Sequence, residues 1–167
     1  MHSKGSVLNH MERPIVFLDI DGVLNSGQWY AQAVPREEEP TGWSLLERSI
    51  DPACVERLNR LLQRAHAVLV VSSSWRKQHE LSEIVSIIEA RGFRGEVIGV
   101  TPSDDSALSR GGEITKWLDE NFPGGVVYAA VDDEVVTGLP AEVLVVTSGD
   151  TGLTDEDVER AIGILTR

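Results

Sequence analysis

Cysteine is close to absent: Cys54 is the only one in 167 residues. That excludes an intramolecular disulfide framework and fits a reducing cytoplasm. Cys54 falls in a segment patterned as a structural helix, so it reads as a packing residue and not as a nucleophile. Long apolar runs are missing as well, and none approaches the ~20 residues that span a bilayer. The N-terminus, Met1 to Arg13, is polar and lacks the apolar centre of a signal peptide. It reads as a flexible leader, with Met11 as an alternative start. Basic charge is scarce, 15 Lys and Arg against 27 Asp and Glu, for a formal net charge of −12. This deficit excludes an extended nucleic-acid surface, which depends on clustered cations. It leaves room for an anionic substrate neutralised by a metal and one or two local cations. The four histidines (His2, His10, His66, His79) are scattered without ligand spacing, so none is assigned a metal or catalytic role. Internal repeats and low-complexity segments are also lacking.

What the chain does have is a series of short apolar runs that end in polar residues. Ile15 to Leu18 is continuously apolar, as expected of a strand buried on both faces of a parallel sheet. Asp19 and Asp21 follow where that strand should end. Two carboxylates beside an apolar strand are costly unless a cation or hydrogen bonds compensate them. Two residues apart, they can share one positive charge. Gly22 then lets the chain turn sharply or pass close to a bound anion. Ala67 to Val71 is a second such run, ending in Ser72-Ser73-Ser74-Trp75-Arg76, and Val126 to Val131 is another, closed by Asp132-Asp133-Glu134. Glu96 to Val100 and Glu142 to Val146 complete five predicted strands.

Helical spacing appears between them. Asp51-Pro52 starts a helix as N-cap and first residue, with Val55, Leu58, Leu61, Leu62 and Ala65 on one face. Leu81, Ile84, Val85 and Ile88 mark a second, ending near Gly92. Glu113 to Phe122 is a third, and Thr154 with Asp157 opens the last in capping-box fashion. Ser26 to Ile50, by contrast, is a long irregular stretch containing Gly27, Pro35, Pro40 and Gly42. It directly follows the carboxylate pair and reads as a flap over it.

Alternating strands and helices predict an α/β fold of three layers: a mostly parallel, five-stranded Rossmann-like sheet with helices on both faces. The expected organisation is a leader over 1–13 and a single domain over 14–167, with 26–50 as a flap or minimal cap. Ligands of such sheets bind at the carboxyl ends of the strands, and three polar clusters sit at just those ends.

With these residues in place, the chain resembles the haloacid dehalogenase-like (HAD) superfamily of phosphatases and phosphotransferases. Asp19-Ile20-Asp21-Gly22-Val23-Leu24-Asn25 is similar to its first motif, Val71-Ser72 to its second and Asp132-Asp133 to its fourth. The resemblance implies a HAD-like fold and phosphomonoester hydrolysis through an aspartyl phosphate. Asp19 would be the nucleophile and Asp21 the acid and base. Mg²⁺ would be held by Asp19, the Asp21 carbonyl and Asp132, with Asp133 direct or through water. Ser72 would bind a phosphoryl oxygen; Gly22 and Ser73 are further phosphate-side candidates, and Ser74 reads as a helix cap.

The cation of the family's third motif is open between Arg110 and Lys116. Lys116 lies opposite the Ile114/Leu118 face and beyond the first turn, so helical phase favours Arg110. Arg76 is either a phosphate contact or a solvated helix residue. Trp117 reads as core, and Trp75 either packs or stacks on substrate. The serine cluster, the Arg110-Gly-Gly-Glu stretch and Gly152-Leu153-Thr154 also resemble the small HAD domains of RNA-repair polyproteins. A nucleotide, polynucleotide end or small phosphate ester is then the expected substrate. The alternative is a catalytically silent phosphate-binding or regulatory domain on the same fold. A receiver domain fits poorly, since its phosphoacceptor would fall at Val100-Thr101-Pro102. No membrane partner is expected.

Overall fold

The computed structural model describes residues 13–34, 43–103 and 107–167. Ile15–Leu18 forms β1, and all four side chains are buried because β1 has a strand on either side and helices over both faces. With β2 (Val68–Val71), β3 (Val97–Val100), β4 (Tyr128–Asp132) and β5 (Leu144–Val146) it makes one parallel sheet in the order β3-β2-β1-β4-β5. The chain winds outward from β1 to β3, then returns to the far side of β1 for β4 and β5. That reversal puts the switch point between β1 and β4.

Register does the rest. Leu18 is level with Val71 on one side and Val131 on the other. The next residues, Asp19, Ser72 and Asp132, therefore leave the sheet at one height.

Side-chain alternation sorts the apolar runs onto two faces. Val16, Leu18, Leu69, Val71, Ala129 and Val131 pack with α3 (Pro52–Ala65), α4 (Leu81–Ala90) and α6 (Asp155–Leu165). Ile15, Phe17, Val68, Val70 and Ala130 pack on the other side, under Ile114 and Trp117 of α5 (Arg110–Asn121). Trp117 meets Phe17 edge-on at 5.6 Å between centroids, a core role worth about 1 kcal/mol beyond its area. The fold is the three-layer parallel α/β architecture. No helix among the described residues is long and apolar enough to cross a membrane.

Asp51 and Thr154 cap α3 and α6 as their spacing predicts. Two expectations need correction. The stretch after β1 is not irregular throughout: it contains α1 (Gly27–Ala33) and α2 (Trp43–Ser49), while 35–42 lie outside the described residues. Ser26 supplies the overlooked signal, its hydroxyl accepting the Trp29 N–H at 3.1 Å as the α1 N-cap. The Trp29 indole N–H in turn donates to the Arg48 carbonyl at 2.9 Å and ties α1 to α2. Helix α5 begins at Arg110, three residues before the expected start, because Ser109 caps it through the Gly112 N–H. Of the expected leader, residues 1–12 lie outside the described residues; Arg13 pairs with Glu96 at 2.6 Å and donates to the Ala67 carbonyl.

Candidate active site

Asp19, Asp132 and Asp133 meet at the carboxyl ends of β1 and β4, each offering an oxygen within 4.8 Å of the others. Asp19 and Asp132 are buried, and Asp133 is half-buried. The Ile20 N–H holds Asp19 Oδ1 at 2.8 Å, and the Glu134 N–H holds Asp132 Oδ1 at 3.0 Å. Gly22 adopts φ +74°, and a Cβ on it would stand 2.3 Å from Asp133 Oδ2. Only a glycine permits both the turn and that carboxylate's position. The Gly22 N–H is taken by the Asn25 backbone and side-chain oxygens, and its carbonyl accepts from Thr147 Oγ1 at 2.8 Å. What Gly22 supplies here is the turn.

Among the described residues, one cation reaches into the cluster. Arg110 Nη1 lies 3.2 Å from Asp19 Oδ1 and 2.7 Å from Asp132 Oδ2, and donates to the Ser72 carbonyl at 3.1 Å. Its helix start is pressed onto the loop after β4, where a Cβ on Gly111 would meet the Thr137 carbonyl at 2.2 Å. Lys116, half-buried and further along α5, makes no ion pair with these carboxylates among the described residues.

The serine cluster divides its work. Ser72 Oγ is buried with no hydrogen-bond partner among the described residues. Ser73, and not Ser74, caps the 3₁₀ turn Ser74–Lys77 by accepting the Trp75 N–H. Arg76 is not a solvated residue: its guanidinium forms a buried ion pair with Glu113 of α5 and donates to the Ser73 carbonyl. Glu113 escaped the sequence reading because an acidic residue in a first helical turn is ordinary there. Trp75 and Asn25 were missed as contacts of Asp21. The indole N–H donates to Asp21 Oδ1 at 3.0 Å, and Asn25 Nδ2 donates to the same oxygen at 2.7 Å. Cys54 is buried in the core, and burial pushes its thiol up to about 11, which leaves it unreactive.

Burial raises the Asp19 carboxyl from 3.8 to about 7; Arg110 opposes this and Asp132 adds to it. Burial, with Asp132 behind it, also raises Asp133. For Arg110, burial acts downward and the two carboxylates outweigh it, holding the guanidinium charged. A carboxyl raised in the folded state binds its proton more tightly there than when unfolded. Its stabilising contribution is therefore complete below the unfolded pKa near 4 and is lost as pH rises through about 7. Metal-free protein is expected to melt at a lower temperature at pH 8 than at pH 5 by this contribution. Were the three carboxylates to hold a divalent cation, it would favour their ionised form, and added Mg²⁺ would then raise the melting temperature more at pH 8 than at pH 5. Differential scanning fluorimetry with and without Mg²⁺ at both pH values checks both signs.

Beside the carboxylates a cleft of about 610 Å³ opens between the Asp21 turn, α1 and Gly149. Tyr30, Ala31 and Val34 form its apolar side. A cavity of about 430 Å³ at the opposite end of the sheet is lined by Arg13 and Arg94, but both arginines are committed to Glu96 and Glu56. The chemistry is all at the carboxyl end.

A sequence model of the family described as the HAD domain in Swiss Army Knife RNA repair proteins matches residues 15–158. No curated protein and no solved structure matches the chain. The match runs from β1 into α6, through all three strand ends that carry the cluster, and the chain belongs to this family of HAD domains.

Proposed function

We propose that the chain is a Mg²⁺-dependent phosphomonoesterase that works through Asp19. One observation carries the reading. A buried hydroxyl with no partner among the described residues, Ser72 Oγ, stands at the same sheet end as a guanidinium and three converging carboxylates. An orphaned buried polar group costs about 1–3 kcal/mol unless something bonds it, and a phosphoryl oxygen is a fitting acceptor. The donor set also fits the metal. Asp19, Asp132, Asp133 and the Asp21 carbonyl would hold it through oxygens alone, which a hard cation prefers. Bound there, Mg²⁺ would offset the repulsion between a carboxylate and an anionic phosphoryl group.

The residues divide the reaction as follows. An Asp19 oxygen attacks phosphorus, forming the aspartyl phosphate as the bond from phosphorus to the ester oxygen breaks. That oxygen keeps the electron pair, takes a proton from Asp21 and leaves as the alcohol. A water then attacks phosphorus while giving its proton back to Asp21, and Asp19 leaves as a carboxylate with inorganic phosphate released. Arg110 and Ser72 hold the phosphoryl oxygens throughout. Arg76 and Glu113 clamp the serine loop to α5.

The leaving group occupies the cleft beside Asp21. The RNA-repair family favours a nucleotide or a phosphorylated polynucleotide end, and the net charge of −12 opposes a long tract. A panel of aryl, sugar, nucleoside and 3′- or 5′-phosphorylated oligonucleotide esters tests this, with Mg²⁺ and with excess EDTA. Turnover in Mg²⁺ that falls to background in EDTA is expected, with nucleotide ends best. Phosphate binding without turnover of any ester would instead make this a silent binding domain.

A further inference from the structure

Asp21 is exposed at the mouth of the cleft, yet its carboxylate is not free to rotate. Trp75 Nε1 and Asn25 Nδ2 both donate to Oδ1, at 3.0 and 2.7 Å. An indole N–H can only donate. The Asn25 amide cannot be turned over either, because its Oδ1 is fixed by the Gly22 N–H at 2.9 Å. Both contacts therefore require Oδ1 to be an acceptor, and no hydrogen bond reaches Oδ2 among the described residues. Trp75 itself is held firmly: it is buried against the main core, and the Ser73 cap fixes the turn that carries it.

We infer that Trp75 and Asn25 are positioning residues that assign the transferable proton of Asp21 to Oδ2 and hold that oxygen toward the leaving group. The inference rests on the phosphatase reading and deepens it. In the first half-reaction Oδ2 gives its proton to the departing ester oxygen, and in the second Oδ2 receives one from the attacking water. Oδ1 keeps its two donors in both. A buried indole N–H usually finds some partner, so a purely structural Trp75 is the competing account.

Leaving groups separate the two accounts. An aryl oxide departs with little help, whereas an alkoxide needs the proton. Trp75→Phe keeps the ring and removes the donor; Asn25→Asp keeps the Gly22 acceptor and removes the other donor. At saturating Mg²⁺, each variant should lose about tenfold or more in kcat on an alkyl phosphate and under about threefold on p-nitrophenyl phosphate, with KM little changed. Equal losses on both esters, or a loss confined to KM, would overturn the inference and leave the phosphatase reading standing. Wild-type protein that hydrolyses no ester of the wider panel would overturn both.

A second measurement needs no turnover. The Trp75 indole proton resonance of metal-free protein, assigned by its loss in Trp75→Phe, should move upfield in Asp21→Ala. A resonance that stays in place would mean that the bond to Asp21 does not form, and would overturn the inference by itself.

Discussion

Asp19→Asn should abolish phosphomonoester hydrolysis and, in metal-free protein at pH 8, raise the melting temperature. The two effects have one origin. The side chain proposed to attack phosphorus is buried, and burial lifts its pKa from 3.8 to about 7. Ionising it inside the fold therefore costs of the order of 4 kcal/mol relative to the unfolded chain, less whatever a bound cation returns. Asparagine has the same shape, cannot attack, and carries no charge. Loss of a nucleophile typically costs a factor of at least about 10³ in kcat, so residual turnover should sit at background. On the stability side, the gain is expected to be larger at pH 8 than at pH 5, because the wild-type penalty grows from the unfolded pKa near 4 up to about 7. The attraction of Arg110, 3.2 Å away, is already contained in that cost, since it opposes the rise in the Asp19 pKa. For a chain of this size about 1 kcal/mol corresponds to ~2–4 °C, a shift that thermal unfolding resolves. A variant that keeps Mg²⁺-dependent turnover would exclude Asp19 as the nucleophile. One that is inactive yet no more stable at pH 8 would mean that the Asp19 carboxyl is not raised in the folded protein.

How far the sequence could carry the fold depended on how local each signal was. β1 and β2 were legible because a strand buried on both faces leaves an unbroken apolar run, and Asp19 and Ser72 stand directly after it. Helices α1 and α2 were not, because seven residues hold less than two full apolar repeats, and the prolines and glycines around them read as loop. The ion pair of Arg76 with Glu113 spans 37 positions, and each residue taken singly looks like a solvated helix charge. Burial turns both into a clamp, and burial is a property of the packed sheet. The contact of Trp75 with Asp21 spans 54 positions and was hidden for the same reason. Register was the other hidden quantity. The polar clusters could be counted at strand ends, but their common height comes from the pairing of Leu18 with Val71 and Val131.

Arg110→Ala should lower kcat/KM by about 10²–10³, whereas Lys116→Ala should change it by less than about threefold. Six residues separate them on α5, which is ~9 Å along the axis and about 120° around it. Both cannot serve one phosphoryl group. Arg110 is the first residue of the helix, at the end that faces the strand termini, and one of its nitrogens already lies against Asp19, Asp132 and the Ser72 carbonyl. A single group in contact with the proposed nucleophile, a proposed metal ligand and the proposed phosphate loop stands at the junction of all three. Arg110→Lys tests what the guanidinium adds to its charge. All three contacts run through Nη1, which an ammonium could replace, but lysine has a shorter stem and no second terminal nitrogen to offer a phosphoryl oxygen, so recovery should be partial. The alanine variant has a second consequence. Arg110 is the largest influence holding the Asp19 carboxyl down, so its removal should raise that pKa further and move the onset of activity to higher pH. A pH profile of kcat/KM therefore separates a lost phosphate contact, which lowers the plateau alone, from a lost neighbour of Asp19, which also shifts the rising limb. Loss confined to Lys116→Ala would mean that α5 turns its other face to the substrate, and that the guanidinium at its start serves only to hold two carboxylates together.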